Sequence, residues 1–330
     1  MLKRKLLTYA LISGLSFPMT SILASDDVVK LRLAVETTPG DPLNVMLTSF
    51  RDALQASAEE EVELEFFEGG ALGSESDLIQ LLRAEQVQVL PIGSDIVELD
   101  SNFALFDMPF IFADKQTARD ALDGELGDLL ADSLRDKSGL EVLAFGELGF
   151  RVISNNRRPI NTPEDLSGLK LRTPGSATRI LAFEMLGAAP TPMSLGEVYI
   201  ALRQGVLDGQ ENPLSVLDEF SLYEVQDYVS LTNHVYTPIT LAMSANSYAL
   251  LSPEMQERVI SAAQEGADQT RQLSDTSDAE LVEVFSNAGV AVNQPDLASF
   301  QSASVPIRDA ISERLNEAFW EQAQNILELR

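Results

Sequence analysis

Between Val29 and Ile92 the chain reads VKLRLAV (29–35), PLNVMLTSFRDALQASA (42–58), VELEFF (62–67), SDLIQLLRA (76–84) and VQVLPI (87–92). The first, third and fifth segments are short and rich in apolar residues, which suits strands. The second and fourth repeat apolar residues three and four apart, which suits helices laid on a sheet. Strand, helix, strand, helix, strand predicts right-handed βαβ crossovers and a largely parallel sheet. A second series begins at Leu140–Phe145 and continues through Phe150–Ser154, Leu169–Arg172, a helix at Ala177–Leu186 and another at Leu195–Leu202. Two α/β domains are expected, which agrees with 330 residues at roughly 100–200 residues per domain. Helix starts carry their signals: Thr162 and Ser252 each precede a proline, and Ser194-Leu195-Gly196-Glu197 reads as a capping box.

From Pro253 to Asn287 the chain has no further proline and one internal glycine, Gly266. A continuous helix over this span would be about 50 Å long at 1.5 Å per residue, long enough to brace two domains. A break near Ser274–Ser277 is the alternative. No Pro/Gly-rich linker separates the domains, so intimate crossovers are expected to join them.

Composition narrows the function. There is no cysteine, which excludes disulfides, Cys-ligated zinc, iron–sulfur clusters and thiol nucleophiles. His234 is the single histidine, so multi-histidine metal sites are excluded as well. With 23 Lys+Arg against 51 Asp+Glu the chain carries −28, and no basic cluster after Ala24 is richer than Arg157-Arg158. Nucleic acid, which needs a basic stripe, is not a partner. Beyond Ala24 lysine occurs only at 30, 115, 137 and 170, a bias that fits either a saline habitat or a merely acidic secreted protein.

Residues 1–24 read as an export signal: Lys3, Arg4 and Lys5 are followed by an apolar stretch from Leu6 to Leu15 and a cleavage neighbourhood at Ile22–Ser25. Cleavage after Ala24 would remove three basic residues and no acidic ones, taking the charge to −31. The expected location is the periplasm.

No GxxxxGK[ST], GxGxxG or GxSxG pattern is present, so no cofactor is expected and a serine nucleophile has no elbow. Acidic pairs are too numerous to single out. Arginine is the sharper lead, because a guanidinium binds a carboxylate through two parallel hydrogen bonds. In Leu169-Lys170-Leu171-Arg172 strand alternation turns Arg172 away from the leucines, and Thr173-Pro174-Gly175 then ends the strand before a helix. That is where open α/β sheets bind ligands. Arg151, in Gly149-Phe150-Arg151-Val152, has a similar setting. Taken alone, each also reads as a surface or interdomain salt bridge.

The segments Leu186-Gly187-Ala188-Ala189-Pro190-Thr191-Pro192-Met193, Gly196–Leu202 and Asp208-Gly209-Gln210-Glu211-Asn212-Pro213-Leu214 resemble the substrate-binding proteins of tripartite ATP-independent periplasmic (TRAP) transporters, the DctP family. The likeness extends through Tyr223–Gln226 and Leu231–Tyr236, and back through Gly168–Arg172 and Ala71–Glu75. It implies a two-domain periplasmic binding fold, with a long domain-spanning helix, that closes on a small organic acid and delivers it to a membrane permease of small and large integral subunits. No reaction is implied, and a monomer is the family's usual state. It also implies a clamp on the ligand carboxylate at Arg172, with Arg151 and Asn212 beside it. Glu75 and the Thr37–Asp41 loop, Thr38 in particular, would select the rest of the ligand, and His234 would lie near the hinge-side wall.

The chain departs from the sialic-acid-binding branch, which looks aromatic where Leu195 stands and has Asn where Gly175 stands. A sugar acid such as a uronate or aldonate, or a C4-dicarboxylate, is the expected ligand. The expected domains are 25–148 with 237–276, and 149–236 with 277–330. Two rivals stand beside this reading: a periplasmic sensor feeding a kinase or chemoreceptor, and an exported hydrolase or lyase working through carboxylates.

Overall fold

The computed structural model describes residues 28–329; the export signal read at 1–24 lies outside them. The first half is built from β1 (Val29–Ala34), α1 (Pro42–Ser57), β2 (Val62–Phe67), α2 (Glu75–Arg83), β3 (Val89–Ile92), α3 (Lys115–Leu122), α4 (Glu125–Ser138) and the long β4 (Leu140–Phe150). Then follow β5 (Val152–Asn155), β6 (Lys170–Thr173), α5 (Ala177–Met185), β7 (Ala189–Pro192), α6 (Leu195–Arg203), β8 (Gly209–Asn212), α7 (Leu214–Glu219) and β9 (Tyr228–Ser230). The chain ends with β10 (Tyr236–Ser244), α8 (Ala245–Ala249), α9 (Pro253–Asn287), β11 (Ala291–Asn293), α10 (Leu297–Ser312) and α11 (Glu317–Ile326).

Two sheets form, in the orders β2-β1-β3-β10-β4 and β11-β9-β5-β8-β6-β7. The expectation of largely parallel sheets needs correction. β1, β2 and β3 are parallel, but β10 runs antiparallel to both β3 and β4, and β5 runs antiparallel to β8 and β9. The cause is the crossing between sheets. β4 leaves the first sheet at Phe150 and β10 re-enters it at Tyr236, its register partner, so the two crossing strands lie side by side and opposed. Arg151 stands at this crossing, its N–H donating to Val235 O at 2.9 Å while its own carbonyl accepts from His234 N–H at 3.3 Å.

Helix α9 is continuous for 35 residues and passes Ser274–Ser277 without a break. Ser252 caps it, accepting from Met255 N–H at 3.1 Å. Its first half buries Val259, Ala262, Ala263 and Ala267 with Met46, Leu47, Phe50 and Leu54 of α1, and its end buries Leu281 and Phe285 with Val198, Leu217 and Val229 of the second half. Gly266 permits the close crossing, since a Cβ there would come within 2.6 Å of Met46 O. The brace thus packs into two separate apolar clusters, so moving one sheet relative to the other must bend or repack α9.

The other face of the first sheet holds Leu126, Leu130 and Leu134 of α4 with Phe103, Phe106, Phe112, Phe145 and Tyr236. The tail returns to this face. Ile307 and Ile311 of α10, Leu315 in the turn after it, and Phe319 and Ala323 of α11 join the same cluster, and Asn316 N–H donates to Asn102 Oδ1 at 2.9 Å. The last part of 277–330 thus packs against the first sheet; a polar-spaced amphipathic tail does not show in sequence which sheet it covers. The capping box read at Ser194 does not close either: Ser194 Oγ bonds the Glu197 side chain at 2.8 Å and caps no backbone N–H. No helix among the described residues is long and apolar enough to cross a membrane.

Candidate functional site

The carboxyl ends of strands from both sheets converge on one cleft of about 180 Å³. This is below the ~300–1,000 Å³ of sites that take drug-sized molecules, so it fits a small metabolite. Its two walls differ in charge. From the second sheet come Arg172 at the end of β6, Arg151 and Asn212; from the first come Glu36, Thr37, Asp41, Glu75 and Asp95.

Arg172 is buried, and its Nε and Nη2 donate to Met193 O at 2.8 and 2.6 Å. Its Nη1 has no hydrogen-bond partner among the described residues, and no carboxylate stands within 4.0 Å of the group. Burial, reinforced by the like charge of Arg151, lowers its pKa to about 10, so it stays cationic at neutral pH. Asn212 donates from Nδ2 to Gln210 Oε1 at 2.7 Å, which fixes the amide and leaves Oδ1 without a partner among the described residues.

Arg151 is clamped from behind. Nε donates to Glu211 Oε2 at 2.5 Å, and Nη2 reaches Glu211 Oε1 at 2.9 Å and Glu211 O at 2.6 Å. Glu211 also accepts from Arg179 Nη1 at 2.9 Å, and Arg179 in turn binds Asp107 through Nε at 2.9 Å and Nη2 at 2.6 Å. Asp107 is further held by Ser176 Oγ and Thr178 Oγ1, each at 2.5 Å. Burial pushes the Glu211 carboxyl up, but Arg151 and Arg179 outweigh it and hold the group well below the ordinary carboxylate range. The network locks the orientation of Arg151 before any ligand arrives, which is what a clamp needs.

The opposite wall grows from strand ends of the first sheet. Glu36 follows β1, Asp41 caps α1, Glu75 opens α2 and Asp95 follows β3. Glu75 Oε1 accepts from Gly93 N–H at 3.0 Å and Asp95 N–H at 3.3 Å, while Glu36 Oε2 accepts from Glu75 N–H at 2.9 Å. Asp41 Oδ1 accepts from Leu43 N–H at 2.9 Å. Asp41 Oδ2, Asp95 Oδ1 and Thr37 Oγ1 are buried with no partner among the described residues. Burial raises the Asp41 carboxyl to about 7, helped by Glu219 and Glu36, and raises Glu75 well above its usual value, helped by Asp95 and Glu36. Among the described residues no such group is arranged to hold a metal ion.

Of the residues expected from sequence, Arg172, Arg151, Asn212 and Glu75 meet in this cleft. Thr38 does not line it. Its side chain is exposed, and Oγ1 donates to Glu219 Oε1 at 3.1 Å, tying the loop after β1 to the end of α7; the residue turned inward is Thr37. A one-residue error reverses a side chain where the chain is extended. His234 stands behind Glu211, as a core histidine would, with Nε2 3.2 Å from Glu211 Oε2, Nδ1 2.8 Å from Thr232 Oγ1 and Phe183 edge-on at 5.4 Å. Burial lowers its pKa, so at neutral pH it is an uncharged positioning residue. His234→Ala should therefore leave ligand affinity within about threefold while lowering stability by about 1–3 kcal/mol, the cost of a lost buried hydrogen bond. Calorimetric titration and thermal unfolding would measure the two separately; a hundredfold affinity loss with unchanged stability would put His234 back against the ligand.

Sequence reading did not single out Glu36 or Asp95, although each follows a strand's carboxyl end; Asp41 it reached only as the last residue of the Thr37–Asp41 loop. It also missed Arg179 and Asp107, whose partnership with Glu211 only the fold creates.

The sequence pattern of the bacterial extracellular solute-binding proteins, family 7 (DctP), matches residues 33–314. The 2,3-diketo-L-gulonate-binding periplasmic protein of Escherichia coli is 37% identical over 293 residues, 88% of this chain and 88% of that protein. A TRAP periplasmic solute-binding protein of Roseobacter denitrificans, solved with β-D-glucuronate, superposes with a TM-score of 0.84 at 32% identity, covering 91% of this chain and 98% of that one. The sugar-acid-binding protein of Advenella mimigardefordensis, solved with galactonate, gives 0.86 at 28% identity over 92% and 99% of the two chains.

Proposed function

Because the chain belongs to the family 7 extracellular solute-binding proteins, the substrate-binding proteins of TRAP transporters, we propose that it captures a small sugar acid in the periplasm and hands it to a TRAP membrane permease. The observation that carries this reading is Arg172: a buried guanidinium that opens on the cleft with, among the described residues, no partner for Nη1 and no carboxylate of its own. Such a group is costly to bury alone and is offset when a ligand carboxylate docks against it.

In the mechanism that follows, the ligand carboxylate meets Arg172 Nη1 and Arg151, and Asn212 Oδ1 accepts from a hydroxyl. Hydroxyls further along the ligand reach Glu36, Asp41, Glu75 and Asp95, whose free oxygens donate or accept according to their protonation. The two walls belong to different sheets, so a ligand touching both favours the closed cleft; it shifts that equilibrium by its extra affinity for the closed form. Gly175 suits the same ligand size, since a Cβ there would stand 3.1 Å from Glu98 Oε1. A larger side chain at this point would press on the acidic wall.

A thermal-shift panel on protein unfolded, stripped of carried-over ligand and refolded tests the assignment. Uronates and aldonates should raise the melting temperature, with about 2.7 kcal/mol of stabilisation at a hundred times Kd. Shifts from uncharged sugars or cations alone would overturn it.

A further inference from the structure

Charge counting across the cleft carries the specificity further. On the second-sheet side three guanidiniums, Arg151, Arg172 and Arg179, face two carboxylates, Glu211 and Asp107. His234 adds no charge near neutrality. That wall therefore has one positive charge to offer, located at Arg172. The facing wall offers none: Glu36 after β1, Asp41 at the start of α1, Glu75 on α2 and Asp95 after β3 are all acidic, with Glu98 beside Asp95 and Glu219 of α7 near Asp41.

We propose that this cleft is built for acids with a single carboxylate, and that an acid carboxylated at both ends enters only with a proton, shared between its far carboxylate and the Glu36–Glu75–Asp95 wall. The inference rests on the sugar-acid reading and deepens it. Geometry supports it independently of titration. Asp41 and Asp95 line the cleft, and each also carries a buried oxygen with no partner among the described residues, Oδ2 and Oδ1 respectively; a second carboxylate brought against these acids would meet them lone pair to lone pair. Two carboxyl groups at hydrogen-bond distance cannot both be ionised in a buried site. Burial raises Asp41 and Glu75 first of all, and the neighbouring carboxylates Glu219, Glu36 and Asp95 add to it, so a further carboxylate would meet like charge in a poorly solvated place.

The test uses matched pairs that differ only in the far end: gluconate and glucarate, galactonate and galactarate, erythronate and meso-tartrate. Binding is followed by calorimetry of the protein between pH 5.5 and 8.5, in buffers of different ionisation enthalpy to count protons. For whichever pair binds, the mono-acid should change by less than about threefold over this range, because Arg172 stays charged throughout and a ligand hydroxyl can pair with Asp41 in either protonation state. Its di-acid should bind at least a hundredfold more weakly at pH 8 and regain about tenfold per pH unit lowered, with one proton accompanying each ligand. Glu75→Gln, which keeps the shape and removes an ionisable carboxyl, should narrow the gap at pH 8 by at least tenfold; Asp95→Asn serves the same purpose should Glu75→Gln misfold. A di-acid that binds as tightly as its partner at pH 8, or one whose affinity ignores pH, overturns the inference and leaves the sugar-acid reading intact. If no member of any pair binds, the sugar-acid reading itself falls and takes the inference with it.

Discussion

Arg172→Ala is expected to lower sugar-acid affinity at least tenfold, and a hundredfold or more where both Nη1 hydrogens serve the ligand, while the protein still unfolds in one cooperative transition. Each charge-assisted hydrogen bond lost from a buried site costs about 1.5–3 kcal/mol, and every 1.4 kcal/mol is a factor of ten. The Nη1 hydrogens of Arg172 supply one or two such bonds, and no other guanidinium in the cleft is free of a protein carboxylate. Arg172→Lys should fail to restore binding. The structural reason is that Nε and Nη2 are held by Met193 O while Nη1 reaches outward, so one planar group serves both the fold and the ligand. An ammonium reaching Met193 O leaves the ligand, and one reaching the ligand leaves Met193 O. Calorimetric titration decides the matter. Wild-type affinity in either variant would remove Arg172 from the site.

Glu211→Ala carries the largest expected effect on stability. Glu211 is fully buried and is the shared acceptor of Arg151, Arg179 and His234. Its removal leaves two guanidiniums with only Asp107 to answer them, and breaking a buried ion pair from one side costs about 3–5 kcal/mol. The pH dependence has a definite sign. The folded pKa is depressed, so Glu211 contributes stability that is complete above its unfolded value of about 4.3 and is lost as pH falls through the folded value. Wild type and Glu211→Ala should thus differ most at neutral pH and converge in strong acid. Asp41 has the opposite sign: raised to about 7, it favours the folded state at low pH, and that contribution is lost as pH rises from about 4 to about 7. Urea unfolding of both proteins at several pH values measures this; equal stability at pH 7 would mean that the network is not holding the crossing.

Local signals carried the sequence reading well wherever one segment contained its own answer. Helix α9 followed from 35 residues without an internal proline, and Arg172 from strand alternation ahead of Thr173-Pro174-Gly175. The antiparallel entry of β10 was hidden because strand direction depends on where a crossing connection returns, here at the Tyr236–Phe150 pair. Most of the acidic wall was hidden by abundance: among 51 acidic residues, a place after a strand end is too weak a mark to set Glu36 and Asp95 apart from the solvated remainder. The Arg179–Asp107 pair joins residues 72 apart, and the tail helices cover the first sheet through contacts such as Asn316 to Asn102, 214 positions away. His234 and Thr38 turn away from the cleft for a related reason: each is close to it in sequence, but the direction of its side chain is set by a partner, Glu211 or Glu219, on another element.

The central claim is that an acid's carboxylate docks on the unpaired edge of Arg172 while its hydroxyls face the carboxyl wall. A crystal structure with a bound aldonate or uronate tests it most directly. The account predicts carboxylate oxygens about 2.7–2.9 Å from Arg172 Nη1, with the hydroxyl-bearing end against Glu75 and Asp95. A ligand bound in the reverse sense, with its carboxylate on the acidic wall or its only contacts outside this cleft, would contradict it.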